Sequence, residues 1–143
     1  MKLENNWRSK SLENLEKDHW GPVPKDESRL VTRCHQLRKI PLDQFETEDL
    51  RLMIGQSIGL KFLVPIALEV LEQNILAEGD LYEGDLLSAT LTSDRNYWES
   101  QKESWDKLCA IIKENQEVLN NEAAQYSTGK KILAAFDEFE QIH

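Results

Sequence analysis

The chain has few of the residues that mark secreted, disordered or membrane-spanning proteins. It contains only two cysteines, six glycines and four prolines in 143 residues. Two thiols in a chain that begins without the apolar core of a signal peptide indicate reduced cysteines and a cytoplasmic protein. The longest apolar stretch is interrupted by Gly55, Gln56, Gly59 and Lys61. We therefore expect no membrane span.

Basic residues are scarce in the middle of the chain. Residues 1–40 have a net charge of +3, residues 41–100 of −9 and residues 101–143 of −3, which gives −9 in total. A nucleic-acid-binding protein needs basic contacts to phosphate, so this distribution argues against direct nucleic-acid binding. It favours a basic partner instead, although an acidic surface also serves solubility alone.

Short motifs of enzymes are absent as well. The sequence has no GxSxG, HExxH or paired CxxC pattern, and these would mark a hydrolase or a zinc site. The string STGKK at residues 127–131 is similar to the end of a phosphate-binding loop. However, Ala124 and Lys131 stand where that loop needs glycine and Ser or Thr. We expect neither a catalytic residue nor a cofactor.

Two weaker sites are also disfavoured by spacing. Cys34 and His35 are neighbours on a predicted helix and point about 100° apart, so they are poorly placed as a nucleophile and its base. A calcium loop that begins at Asp80 would need glycine sixth and glutamate twelfth, but Asp85 and Leu91 stand there. The simpler interpretations are that Cys34 is a structural thiol and that the segment after Asp80 holds no metal ion.

Helical periodicity dominates the sequence and predicts an all-α fold. We expect a compact single-domain bundle, residues 1–143, of about six helices, with roughly the first ten residues loosely ordered. Residues 60–73 are apolar on nearly every side and predict the buried central helix. Residues 102–121 predict one long helix with Trp105 on its inner face, and Ser127 or Thr128 is expected to cap the last helix.

An acidic segment follows the central helix directly. Residues 75–87 read ILAEGDLYEGDLL, and we call residues 78–85 the acidic turn. It has four carboxylates in eight positions, and no lysine or arginine lies between Lys61 and Arg95. Its glycines and aspartates suit helix caps and positive φ angles, while its outer face is free for a basic partner. The residues expected there are Glu78, Asp80, Tyr82, Glu83 and Asp85.

Three longer segments resemble a known family. Residues 20–42 (WGPVPKDESRLVTRCHQLRKIPL), 48–74 (EDLRLMIGQSIGLKFLVPIALEVLEQN) and 76–91 (LAEGDLYEGDLLSATL) are similar, in this order, to the CdiI immunity proteins of bacterial contact-dependent growth inhibition. The resemblance covers roughly residues 15–121.

The resemblance implies a non-enzymatic protein that binds and neutralises the C-terminal toxin domain of a cognate CdiA effector. Such a toxin is often a nuclease, so a basic ribonuclease covered by the acidic turn is the favoured partner. Shared residues in the GD turns also suit a scaffold role, in which case toxin contact falls on exposed residues such as Tyr97 and Glu99. The alternatives are an adaptor domain that binds another basic protein and a small hydrolase around Cys34 and His35.

Overall fold

The computed structural model describes residues 6–23, 25 and 27–143. No β-strand occurs within these ranges, and the prediction of an all-α fold is confirmed. Two short 3₁₀ helices, Trp7–Ser9 and Leu42–Gln44, accompany the α-helices. The α-helices are α1 (Leu12–Glu16), α2 (Arg29–Leu37), α3 (Thr47–Gly55), α4 (Leu60–Gln73), α5 (Asp85–Leu91), α6 (Arg95–Ser100), α7 (Lys102–Glu114), α8 (Gln116–Gln125) and α9 (Ser127–Glu140).

The helix α4 is the central helix that the apolar run predicts. Its bounds agree with the expected residues 60–73, and seven of its fourteen residues are buried. Pro65 lies inside this helix beyond the first turn, where it removes one backbone hydrogen bond. Since α3 ends at Gly55 and α4 begins at Leu60, Pro65 belongs to a separate helix and does not kink a longer one.

The part of the chain that the structure describes contains nine α-helices, more than the six or so expected from periodicity. The predicted helix over residues 102–121 is divided into α7 and α8 at Asn115, which has φ −112° and ψ 19°. The side-chain Nδ2 of Asn115 donates to the carbonyl oxygen of Ile111 at 2.8 Å. This local hydrogen bond satisfies a carbonyl near the end of α7 and favours the break.

Helix packing places α5 between two other helices. The helix α5 contacts α3 on one side and α9 on the other, and α9 packs along α8. The central helix α4 contacts α3, α5 and α7. The acidic turn leads directly into α5, so it lies next to α3 and α9 where these helices pack against α5.

Aromatic side chains join α6 and α7 to α9. The ring of Trp98 is fully buried and lies edge-on to Phe139, with 4.9 Å between ring centroids. Trp105 is partly buried against the same core, and its Nε1 donates to the carbonyl oxygen of Phe139 at 2.8 Å. Phe139 on α9 is therefore held by Trp98 from α6 and by Trp105 from α7.

The start of the chain is partly outside the described residues. Residues 1–5 of the segment expected to be loosely ordered fall there, whereas Trp7–Ser9 forms a 3₁₀ helix. Both terminal nitrogens of Arg8 donate to the carboxylate of Glu69 on α4, at 2.7 and 2.6 Å. Over the described ranges, every helix is too short or too polar to cross a bilayer.

Candidate functional site

The acidic turn is anchored at both ends by buried side chains and backbone hydrogen bonds. Ile75 and Ala77 are buried where the chain leaves α4. The backbone N–H of Gly84 donates to the carbonyl oxygen of Leu76 at 3.1 Å, which closes the turn just before α5. The connection between α4 and α5 is thus tied to the core at both ends.

Asp85 organises the turn from inside. Its side chain is almost completely buried, with 2% of the residue exposed. Its carboxylate accepts the backbone N–H of Gly79 at 2.7 Å, of Leu81 at 2.9 Å and of Tyr82 at 3.4 Å. Asp85 is the first residue of α5, but its carboxylate binds the preceding turn and not the N-terminus of that helix. It is therefore unavailable at the outer surface where the sequence places it.

Two side chains from α3 complete the support of the turn. The Oε1 atom of Glu48 accepts the backbone N–H of Asp80 at 2.9 Å, and both Glu48 oxygens accept from Arg51 at 2.6 Å. The Nε of Arg51 also lies 3.8 Å from the Asp85 carboxylate. The hydrogen bond from Arg51 lowers the pKa of Glu48, and Glu48 raises the pKa of Arg51. A cation distant in sequence thus partly compensates the acidic turn from its inner side.

The two glycines of the turn have different roles. Gly84 has φ +90° immediately before α5, as expected for a glycine in a tight turn. Gly79 does not have the positive φ that the sequence predicts. A Cβ atom at Gly79 would lie 2.5 Å from the Glu48 carboxylate. A larger residue there would displace the Glu48 carboxylate that accepts the backbone N–H of Asp80, because the turn approaches α3 closely.

The outer side of the turn is exposed and negatively charged. Glu78, Asp80 and Glu83 are exposed, and none of them forms an ion pair with another described residue. Leu81 is 62% exposed, the largest value among the big hydrophobic side chains of the described chain, and Tyr82 is partly exposed. This combination of carboxylates and apolar groups suits contact with a basic protein surface.

Different grooves flank the turn. On one side, Asp80 borders a groove of about 540 Å³ between α2 and α3, which Arg29 and Arg33 line as well. Arg33 donates across this α2–α3 groove to Asp49 at 3.1 Å. On the other side lies a groove of about 190 Å³ that we call the tyrosine groove, and its lining residues are Tyr82, Glu83, Glu122, Tyr126 and Thr128.

The remaining two candidate contact residues lie apart from the turn, on α6. In the sequence, α5 and residues 92–94 lie between them and the turn. Tyr97 is partly buried against Trp98, with 5.1 Å between ring centroids, and this burial raises the pKa of its hydroxyl. Glu99 is exposed and pairs with Arg95 at 3.0 Å. The seven candidates therefore form two groups, and Tyr97 and Glu99 stay a separate prediction.

The thiols have the surroundings of structural cysteines. Cys34 is buried on α2, and burial raises its pKa. The neighbouring ring of His35 lies edge-on to Trp20, with 4.9 Å between centroids. A reactive thiol needs a lowered pKa, so these contacts give no support to the hydrolase alternative. Among the described residues, no group of three or more metal-ligating side chains is placed to hold an ion.

The contribution of α3 to the site is not visible in the local sequence. Glu48 is recognisable as an acidic residue in the first turn of a helix, but its bond to the backbone of Asp80 spans 32 residues. No local pattern marks such a contact. The exposure of Leu81 has no signal in the sequence either.

Comparisons with known proteins agree with the resemblance seen in the sequence. Residues 14–108 match the family described as CDI immunity proteins. The match includes the acidic turn and α6, whereas α8 and α9 lie beyond it. Neither the curated proteins nor the solved structures include a match to this chain. Because the family match covers about two thirds of the residues, the chain belongs to the CDI immunity proteins and is an immunity protein against a contact-dependent growth inhibition toxin.

Proposed function

We propose that this immunity protein acts in the cytoplasm on a nuclease, most specifically a ribonuclease, that forms the C-terminal domain of its cognate CdiA effector. Inhibition occurs when the acidic turn covers the basic active site of the toxin. The observation that carries this proposal is a turn held by internal hydrogen bonds, with three exposed carboxylates that form no ion pair among the described residues.

Charge complementarity supports a nuclease as the target. A nuclease holds the phosphates of its substrate with lysine and arginine side chains, so its active site is basic. An acidic cover competes for the same groups and accelerates association at low salt. The net charge of −9 adds to this attraction at long range.

Apolar groups in the turn supply short-range contact. Leu81 and Tyr82 lie between the exposed carboxylates of Asp80 and Glu83. Aromatic and apolar anchors surrounded by polar residues are typical of the energetic centres of protein interfaces. The turn thus combines steering by charge with a small surface that excludes water on binding.

Charge reversal on the turn tests the proposal. Glu78→Lys with Asp80→Lys is compared with Asp137→Lys and Glu138→Lys, exposed acids on α9 that change the net charge equally. Stopped-flow association with the cognate toxin domain is measured at several salt concentrations. We expect the turn variant to associate at least about tenfold more slowly at low salt, with a weaker salt dependence.

The control variant separates local from global charge. It is expected to keep most of the association rate, and thermal melting checks that both variants fold. Equal rates for the two variants would show that the turn is not the contact surface. A cleavage assay with RNA and DNA substrates then identifies the toxin chemistry, since the wild-type protein blocks whichever cleavage occurs.

A further inference from the structure

We infer that the tyrosine groove receives an arginine side chain of the toxin. This inference rests on the proposed contact of the acidic turn with that toxin, and it adds a specific pocket beside the turn. Tyr82 and Glu83 form one wall, and residues at the junction of α8 and α9 form the other. Its volume of about 190 Å³ is on the scale of one long side chain.

The second wall has a defined backbone. Tyr126 stands between α8 and α9 in an extended conformation, with φ −134° and ψ 142°. Its N–H donates to the carbonyl oxygen of Glu122 at 2.8 Å. A Cβ atom at Gly129 would lie only 2.5 Å from backbone atoms of Glu122 and Ala123. This close approach of α9 to α8 explains the glycine in STGKK and fixes the wall.

The chemistry of the groove suits a cation. Neither Glu83 nor Glu122 forms an ion pair within the described part of the chain. Tyr126 is 54% exposed and Tyr82 is partly exposed, so neither side chain is fully covered by the rest of the described chain. Aromatic faces attract cations, and nearby carboxylates accept their hydrogen bonds.

The opposite side of the turn is less suited to a cation. Arg29 and Arg33 line the α2–α3 groove, and Arg33 already occupies the carboxylate of Asp49. A basic side chain of the toxin would meet these arginines there. The tyrosine groove has no lysine or arginine among its lining residues, so charge complementarity selects it.

Arginine fits this groove better than lysine does. A planar guanidinium stacks on an aromatic ring while its edge donates two hydrogen bonds to a carboxylate. The groove offers rings and carboxylates together. Its second wall also lies beyond the residues that match the family, as expected for a contact that distinguishes one toxin from another.

Substitutions in the second wall test the inference without changing the turn. Glu122→Gln and Tyr126→Leu are each expected to raise the Kd for the cognate toxin domain about tenfold. Tyr126→Phe should bind as the wild type does, because it keeps the aromatic face. Glu117→Gln, an exposed acid on the same helix, is the matched control and should have no effect. Thermal melting identifies any variant that does not fold, and Glu122→Gln remains informative if Tyr126→Leu fails.

A double-mutant cycle identifies the occupant. Each arginine of the toxin domain is replaced by alanine and titrated against wild type and Tyr126→Leu. We expect one arginine whose replacement weakens wild-type binding but has little further effect on the variant. The inference is wrong if Glu122→Gln and Tyr126→Leu both bind the toxin domain with wild-type affinity, or if no arginine is coupled to Tyr126. The proposed function would still stand in that case, provided that Glu78→Lys with Asp80→Lys slows association.

Discussion

Replacing Asp85 tests whether one buried carboxylate determines the shape of the acidic turn. Asp85→Ala removes the acceptor for the N–H groups of Gly79 and Leu81, at 2.7 and 2.9 Å, and for a weaker contact from Tyr82 at 3.4 Å. A hydrogen bond to a charged group contributes about 1.5–3 kcal/mol. The turn lies at the surface, so water partly replaces the lost acceptor, and the lower value applies to each of the two short bonds. The expected loss in free energy of unfolding is about 3 kcal/mol.

Urea denaturation of three variants measures this effect. Asp85→Asn keeps one acceptor oxygen and should lose about half as much stability as Asp85→Ala. Asp80→Ala is the control, because its side chain is exposed and surface substitutions usually change stability by less than about 0.5 kcal/mol. Hydrogen exchange should also become faster at the amides of Gly79 and Leu81. If Asp85→Ala and Asp80→Ala unfold at the same urea concentration, Asp85 does not hold the turn.

Three further predictions concern packing, pH and thiol reactivity. Gly129→Ala should destabilise the protein by about 1–3 kcal/mol in denaturant melts, because the new Cβ would lie 2.5 Å from the α8 backbone. Gly55→Ala, whose Cβ would find its nearest neighbour at 3.8 Å, should be tolerated, and equal effects of the two would contradict this account. Arg51 lowers the pKa of Glu48 in the folded protein, so this contribution to stability is present above the ordinary glutamate pKa. This stabilisation should decrease as the pH falls below the ordinary glutamate pKa, and it should be lost below the folded-state pKa of Glu48. In melts at several pH values, Glu48→Gln should therefore lose less stability between neutral and acidic pH than the wild type does. Burial raises the pKa of Cys109 to about 11, so native protein should react with thiol reagents much more slowly than unfolded protein, and equal rates would refute this.

Helical periodicity predicts the helix bounds correctly where burial alone determines them. The central helix α4 has the expected bounds because its residues are apolar on nearly every side, and such a segment is stable only in the middle of a bundle. The break at Asn115 was not predictable in this way, since the apolar positions continue from Ile112 to Leu119 across it. There a side-chain hydrogen bond to the preceding turn, and not hydrophobic spacing, ends the helix.

The acidic turn shows a second limit of sequence reasoning. Its carboxylates look equivalent in the sequence, but Asp85 is buried while Glu78, Asp80 and Glu83 are exposed. The difference arises from the tertiary position of the first residue of α5, which points its carboxylate into the turn. Glu48 from α3 contributes a further acceptor that composition near the turn cannot indicate.

The internal support by Asp85 and Glu48 has a consequence for affinity and for the evolution of new partners. Fixing the backbone of a residue costs about 1–2 kcal/mol, so a mobile loop of eight residues would lose on the order of 10 kcal/mol of binding energy. A preorganised turn avoids most of that entropic loss, and a few exposed side chains then suffice for tight binding. Replacement of Glu78, Asp80 or Glu83 leaves the supporting hydrogen bonds intact. The same scaffold is therefore suited to retargeting through its outer side chains alone.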